Sequence, residues 1–190
     1  MFLSTFATTY LLMLIAEFGD KTQLVALSIM TKSRKPFRVA LGATIGIVFT
    51  TVLGLIAAIL LSEFIDSNLI PLVSGIVFII LGVLSLKEAI SKEEEEDYPE
   101  EKQIRHPFLS AVSLVALAEL GDKSQLFVVG QALKGDLLAV FLGAALGMAT
   151  ILFTTALIGE TLLKKLPENF LKYLAAALFF IAGILILLGT

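Results

Sequence analysis

The sequence predicts an all-α membrane protein with six transmembrane helices, arranged as two inverted three-helix repeats. Two observations lead to this fold class. The 190-residue chain is 57% hydrophobic, above the roughly 45–50% of a soluble domain, and its mean hydropathy is +0.95. The second observation is that a charged motif and several glycines occur twice along the chain, in the same order and at nearly the same spacing.

Six apolar runs are long enough to cross a bilayer as helices, which takes about 20 residues each. Strands of a membrane barrel would instead alternate apolar and polar residues. The prolines all fall in connections or at the ends of the runs, where helices tolerate them. The predicted spans are Leu3–Met30, Val39–Leu61, Leu69–Leu86, Phe108–Leu133, Leu138–Leu163 and Phe170–Leu188.

Lysines and arginines predict the orientation, because they are enriched in cytoplasmic connections. They concentrate in the first, third and fifth connections, at 31–38, 87–106 and 164–172. We therefore expect these connections in the cytoplasm and both termini outside. The central connection holds the acidic run Glu93–Asp97, which we interpret as a solvated linker; the alternative is a cation-attracting or regulatory segment. The N-terminus lacks a basic region and a cleavage site, so we expect no removable signal peptide.

Matching glycines reveal an internal duplication. The segment Leu41–Gly46 of the second span matches Leu142–Gly147 of the fifth, and Gly82 of the third matches Gly183 of the sixth. Because each half has an odd number of spans, the second half enters the membrane inverted, an architecture known from secondary transporters. The predicted units are a first repeat at 1–87, an acidic cytoplasmic linker at 88–106 and a second repeat at 107–190.

Residues inside the second and fifth spans have mainly structural predicted roles. Small residues four apart, as at Gly42 and Gly46, let helices pack closely in lipid; the alternative is that they let these spans slide against the first and fourth. We expect threonine hydroxyls in the same spans to bond to the helix backbone, with cation ligation as the alternative. These threonines are Thr50, Thr51, Thr154 and Thr155.

The duplicated motif lies in the middle of the first and fourth spans. Its copies are Glu17-Phe18-Gly19-Asp20-Lys21-Thr22-Gln23-Leu24 and Glu119-Leu120-Gly121-Asp122-Lys123-Ser124-Gln125-Leu126. Ionisable residues are rare within apolar spans and indicate function there. On a continuous helix the Glu, Asp, Lys and Leu of each copy would share one face. Gly19 and Gly121 would let another backbone approach closely, or would let the helix break.

Pseudo-two-fold symmetry would bring the two copies together around one cavity with oxygen ligands only. Such ligands suit Ca²⁺, Mn²⁺ or Mg²⁺, whereas Zn²⁺ and copper favour the imidazole and thiolate groups that a chain with no cysteine and one histidine hardly offers. The predicted metal ligands are Glu17, Asp20, Thr22, Gln23, Glu119, Asp122, Ser124 and Gln125. Lys21 and Lys123 are expected to pair with Glu17 and Glu119, or across the two halves.

The charges of the motifs suggest an exchange mechanism. Four carboxylates and two lysines sum to −2 when all are ionised. Because uncompensated charge is costly in a low-dielectric site, we expect either a divalent cation or about two protons there. A protein whose site changes sides only when it holds the cation or the protons is an exchanger. The expected partners are the lipid bilayer, divalent cations and protons, with no permanent cofactor and no nucleic acid.

Three other readings compete with cation exchange. The Glu–Lys pairs could be buried ion pairs that hold helices together, but this leaves Asp20 and Asp122 unexplained. An intramembrane aspartyl protease would need two aspartates that share a proton, and the lysines next to these aspartates oppose that. An exporter of a small organic solute, such as an amino acid, could use Lys21 and Lys123 to bind a carboxylate, although acids outnumber lysines in the motifs.

The strings Glu-x-Gly-Asp-Lys-Thr and Glu-x-Gly-Asp-Lys-Ser, one in each half around an acidic loop, resemble the family of the Golgi transmembrane protein 165, uncharacterised protein family 0016. The resemblance covers essentially the whole chain and implies a cation exchanger linked to Mn²⁺ and Ca²⁺ transport against protons. It implies that the motif acids line the cation path. The short chain resembles prokaryotic members, which implies the cell membrane. The family also resembles six-span amino-acid exporters, which leaves the substrate open.

Overall fold

The structure, a computed structural model, describes residues 1–91, 105–159 and 168–189. The described residues form eight α-helices and no strand, as the all-α prediction requires. The predictions for Glu93–Asp97, Lys164 and Lys165 fall outside these residues. The helices are α1 (Phe2–Glu17), α2 (Lys21–Ser33), α3 (Pro36–Phe64), α4 (Ile70–Ile90), α5 (Pro107–Glu119), α6 (Lys123–Lys134), α7 (Leu137–Ile158) and α8 (Glu168–Leu187).

Four helices in the described part of the chain are long and apolar enough to cross a membrane. They are α3, α4, α7 and the Phe170–Leu187 portion of α8. A fifth span results if α1 and α2, which meet at a bend of 68°, count as one. Helix α5 is apolar but shorter. Large apolar side chains on these helices, such as Phe49, Ile80 and Ile184, are exposed, as a lipid-facing surface requires. The chain is therefore a multi-pass membrane protein.

The first and fourth predicted spans are not continuous helices, so the prediction that each motif occupies one helix face is wrong. Helix α1 ends at Glu17 and α2 begins at Lys21, while α5 ends at Glu119 and α6 begins at Lys123. Gly19 and Gly121 both adopt a φ of +78°, a left-handed conformation that glycine reaches without steric penalty. The alternative reading, in which these glycines break the helix, is the observed one.

An aspartate follows each glycine and precedes the next helix. The side chain of Asp20 accepts a hydrogen bond of 2.7 Å from the backbone N–H of Lys21 at the start of α2. Asp122 occupies the equivalent position before α6, without a side-chain capping bond. Because aspartate favours helix starts over helix interiors, the Gly-Asp pair both ends one helix and begins the next.

The paired glycines of α3 and α7 pack as predicted. A Cβ atom at Gly46 would lie 2.7 Å from the carbonyl oxygen of Val112 in α5. A Cβ atom at Gly143 would lie 2.9 Å from the carbonyl oxygen of Phe6 in α1. Each long helix therefore touches the backbone of the motif helix from the other half of the chain, and this contact holds the two motifs near each other.

Helices α4 and α8 pack against each other and against α6. A Cβ atom at Gly183 would lie 3.0 Å from the carbonyl oxygen of Gly75. The ring of Phe78 in α4 makes edge contacts with Phe127 of α6 and Phe179 of α8, at centroid distances of 5.9 and 6.0 Å. This aromatic cluster connects α6, which carries part of the second motif, to two helices that carry none.

Candidate functional site

The two helix breaks are stabilised by the same hydrogen bond, from the glycine N–H to the side chain of the motif glutamine. The Gly19 N–H donates to Gln23 Oε1 at 2.7 Å, and the Gly121 N–H donates to Gln125 Oε1 at 2.8 Å. Each glutamine lies in the first turn of the helix that follows its break and satisfies a backbone donor of the break. The side-chain oxygens of Gln23 and Gln125, which were predicted as metal ligands, therefore already accept a backbone hydrogen bond.

Glu119 is the residue at which the two motifs meet. It is 1% exposed, and its two carboxylate oxygens accept from two hydroxyls. Thr22 of the first motif donates to Oε1, and Ser124 of the second motif donates to Oε2. The hydroxyl position of each motif thus orients the same carboxylate, and residues from both halves build one site.

Three carboxylates converge at this site. Glu17, Glu119 and Asp122 each offer an oxygen, and these oxygens lie within 4.8 Å of one another. Glu17 is 2% exposed, and its Oε2 atom has no hydrogen-bond partner among the described residues. A buried polar atom without a partner is costly, and a bound cation or an added proton would remove that cost.

Asp20 lies outside this group of three and contacts a lysine. Its Oδ2 atom is 2.8 Å from the Nζ atom of Lys123, whose side chain is 4% exposed. Lys123 therefore pairs across the two motifs, which is the second of the two pairings that the sequence left open. The side chain of Lys21 is exposed, so the lysines of the two motifs have different surroundings.

Glu88 also belongs to this charged cluster, and the sequence analysis missed it. Its Oε2 atom lies 2.6 Å from Lys123 Nζ. The third predicted span ended at Leu86, which assigned Glu88 to the linker, whereas α4 continues to Ile90. The available signal was its position within one turn of the predicted helix end, where boundaries read from sequence are least certain.

Acids outnumber bases among the buried residues. Glu17, Asp20 and Glu119 are buried together with Lys123, the only lysine among the buried polar residues that the structure describes. Because a buried charge needs a partner, this set favours one further cation or added protons. A small cavity adjoins Glu119 and Ser124, and Thr50, Thr51, Met13 and Met148 also line it.

The threonines differ in their contacts. Thr50 donates to the Ile47 carbonyl oxygen at 3.0 Å, and Thr155 donates to the Ile151 carbonyl oxygen at 2.8 Å, which confirms the backbone bonds predicted for these two. Thr155 also accepts a 2.7 Å hydrogen bond from Gln23 Nε2, so α7 supports the break in the first motif.

A family model and several known proteins are similar to this chain. A family model described as "Divalent cation/proton antiporter GDT1" matches residues 5–93 and 107–190, which confirms the resemblance drawn from the motifs. A "Putative manganese exporter" of Vibrio cholerae serotype O1 is 24% identical over 184 residues, covering 96% of this chain and 90% of that protein.

Two yeast proteins match over a smaller part. The "Divalent cation/proton antiporter GDT1" of Saccharomyces cerevisiae is 30% identical over 76 residues, covering 40% of this chain and 27% of that protein. A "GDT1-like protein" of Schizosaccharomyces pombe is 27% identical over 84 residues, covering 44% of this chain and 32% of that protein. No solved structure matches the chain.

Proposed function

Because this chain belongs to the family of GDT1 divalent cation/proton antiporters, we propose that it exchanges a divalent cation, Mn²⁺ or Ca²⁺ or both, for protons across the membrane. The observation that carries this proposal is the convergence of Glu17, Glu119 and Asp122 from both motifs, with oxygens within 4.8 Å of one another. Carboxylates at this spacing suit a hard divalent cation.

The residues of the site take different roles in this proposal. Glu17, Glu119 and Asp122 are the main ligands, and Asp20 joins them when Lys123 moves away. The hydroxyls of Thr22 and Ser124 hold the Glu119 carboxylate in place, and their oxygens remain able to face a cation. Gln23 and Gln125 hold the glycine breaks instead of acting as ligands.

The exchange follows from the charge of the site. With the cation bound, Glu17 and Glu119 are ionised and the open oxygen of Glu17 has a partner. When the cation leaves, the same carboxyl groups need protons, because a buried pair of like charges is unfavourable. Cation and protons therefore compete for the same oxygens, which couples outward movement of one to inward movement of the other.

We propose that the chain completes six spans as two inverted repeats, the first extending through α4 to Ile90 and the second at 107–190, joined by a cytoplasmic linker that follows α4. Support comes from the two breaks with the same glycine φ and from the reciprocal packing of α3 on α5 and of α7 on α1. In this arrangement α5 and α6 form the fourth span. Both termini face outward, and the protein resides in the cell membrane.

Flux into proteoliposomes tests the function. Purified protein is reconstituted, a pH gradient is imposed, and uptake of Mn²⁺ and of Ca²⁺ is followed for wild type, Glu17→Gln and Glu119→Gln. Glu63→Gln is the matched control, because Glu63 is an exposed carboxylate near the end of α3. We expect flux that follows the gradient in wild type and control and is lost in both motif variants. The ratio of the two fluxes identifies the preferred metal.

Equal transport by wild type and both motif variants would contradict the shared carboxylate site.

We propose transport rather than an enzymatic reaction, in line with the antiporter family. We propose a cation rather than an organic solute, because Lys123 already contacts two carboxylates, Asp20 and Glu88. A carboxylate-bearing solute would have to displace both of them to reach Lys123. Counterflow of amino acids in the same proteoliposomes, without metal flux, would instead favour the solute exporter.

A further inference from the structure

Lys123 connects the buried site to a more exposed carboxylate at the end of α4. Its Nζ atom lies 2.8 Å from Asp20 Oδ2 and 2.6 Å from Glu88 Oε2. The side chain of Asp20 is 7% exposed and that of Glu88 is 32% exposed. The three charges therefore run from the partly exposed end of α4 to the buried carboxylate of Asp20.

Glu88 has no counterpart in the second half of the chain. The match between Gly82 and Gly183 places Gly189 at the position equivalent to Glu88, and glycine has no side chain to offer. The corresponding lysines also differ, because Lys123 is buried and Lys21 is exposed. Lys123 thus contacts Glu88, whereas the position of the second half that matches Glu88 is Gly189, which offers Lys21 no carboxylate.

The two helix breaks differ in exposure in the same way. Leu120 and Gly121 of the second motif are exposed, whereas Gly19 and Asp20 of the first are buried. Two motifs with the same local backbone therefore meet different surroundings. In a protein that alternates between two symmetry-related conformations, each conformation is expected to expose one break and bury the other.

The two carboxylates that contact Lys123 belong to different parts of the structure. Asp20 lies at the break between α1 and α2, whereas Glu88 lies on α4, which packs on α6 through Phe78 and Phe127. Since Lys123 begins α6, its contact with Glu88 ties the start of α6 to the end of α4. A rearrangement that separates the first break from α4 must break one of the two contacts.

We propose that Glu88 is a positioning residue that stabilises the conformation seen here by holding Lys123 at the end of α4, and so sets which side of the site is open at rest. This inference rests on the proposed exchange function. Only one of the two conformations gains the Glu88 contact, so the equilibrium between them is unequal. Removing the charge of Glu88 should then raise the population of the opposite conformation.

Cysteine labelling tests this without any transport measurement. The chain has no native cysteine, so Leu120→Cys, at a side chain that is 45% exposed, places a single thiol at the second break, and its reaction in the unsubstituted background shows that this break faces water. A membrane-impermeant maleimide is applied to the reconstituted full chain with Glu88, Glu88→Gln, Glu88→Asp or the control Glu63→Gln. We expect the equilibrium constant between the two conformations to shift by roughly threefold to fivefold in Glu88→Gln, the shift that loss of one partly exposed ion pair gives, and labelling to slow as the population of the conformation seen here falls.

The controls separate positioning from general damage. Glu88→Asp keeps the charge and should restore most of the wild-type labelling rate, and Glu63→Gln should not change it. In Mn²⁺ flux, Glu88→Gln should change KM and leave the melting temperature nearly unchanged. The reason is that the apparent affinity scales with the population of the binding-competent state. Glu88→Met serves as the charge-removing variant if Glu88→Gln does not fold.

An unchanged labelling rate in the charge-removing variant would overturn the inference, whatever the flux shows, since a merely structural Glu88 predicts that result. A wild-type protein that moves neither Mn²⁺ nor Ca²⁺ would instead refute the proposed function. The labelling rates would still show whether Glu88 shifts the equilibrium between the two conformations.

Discussion

Thr22→Val should weaken the connection between the two motifs. The hydroxyl of Thr22 donates to Glu119, and both residues are 1% exposed, so valine keeps the shape of the side chain and removes only the donor. A hydrogen bond to a charged group contributes about 1.5–3 kcal/mol. For a chain of this length, about 2–4 °C of melting temperature correspond to each kcal/mol, so we expect a decrease of about 3–12 °C.

The assay is thermal unfolding in detergent with a chelator present, so that no bound metal contributes. The matched control is Thr44→Val, because the Thr44 hydroxyl donates to the Ala40 carbonyl oxygen at 2.8 Å within α3, away from the site. In a Glu119→Gln background the same Thr22 substitution should cost about half as much or less, since a hydrogen bond between neutral groups contributes only about 0.5–1.5 kcal/mol.

Two results would refute this reasoning. One is an equal decrease of the melting temperature in Thr22→Val and Thr44→Val, which would mean that the hydroxyl matters only for its own helix. The other is an undiminished effect of Thr22→Val in the Glu119→Gln background, which would show that the two residues do not interact.

Three further predictions concern the same cluster. Mn²⁺ at 100 times its dissociation constant should stabilise wild type by about 2.7 kcal/mol but not Glu17→Gln; equal metal-dependent melting shifts would contradict a ligand role for Glu17. Gly121→Ala should lower stability by about 1–2 kcal/mol through its positive φ alone, because a Cβ there meets nothing within 4 Å. Gly46→Ala should lower stability more, because its Cβ would lie 2.7 Å from a backbone oxygen. Melting temperatures compare the two variants, and a larger decrease in Gly121→Ala would refute this. Lys123→Met should lower stability by about 3–5 kcal/mol by leaving Asp20 without its cation, Lys123→Arg should lose less, and equal melting temperatures for both would show that the charge is unimportant.

Local features of the sequence determined much of this protein. Hydropathy identified the apolar helices, because crossing a bilayer depends on the composition of a continuous segment. The recurrence of the charged motif located the candidate site, since ionisable groups in apolar spans are rare without a function. The glycines of α3 were expected at close contacts, and Gly46 packs against the backbone of α5.

Only the tertiary structure decided how these parts meet. A glycine is compatible with both a helix and a break, and the φ of +78° at Gly19 and Gly121 is a property of the folded chain. The bond from Thr22 to Glu119 joins residues 97 positions apart, and the pair of Glu88 and Lys123 joins residues 35 apart. The duplication indicated that the two motifs meet, but which atoms touch depends on how the helices pack, and the sequence pattern does not contain that information.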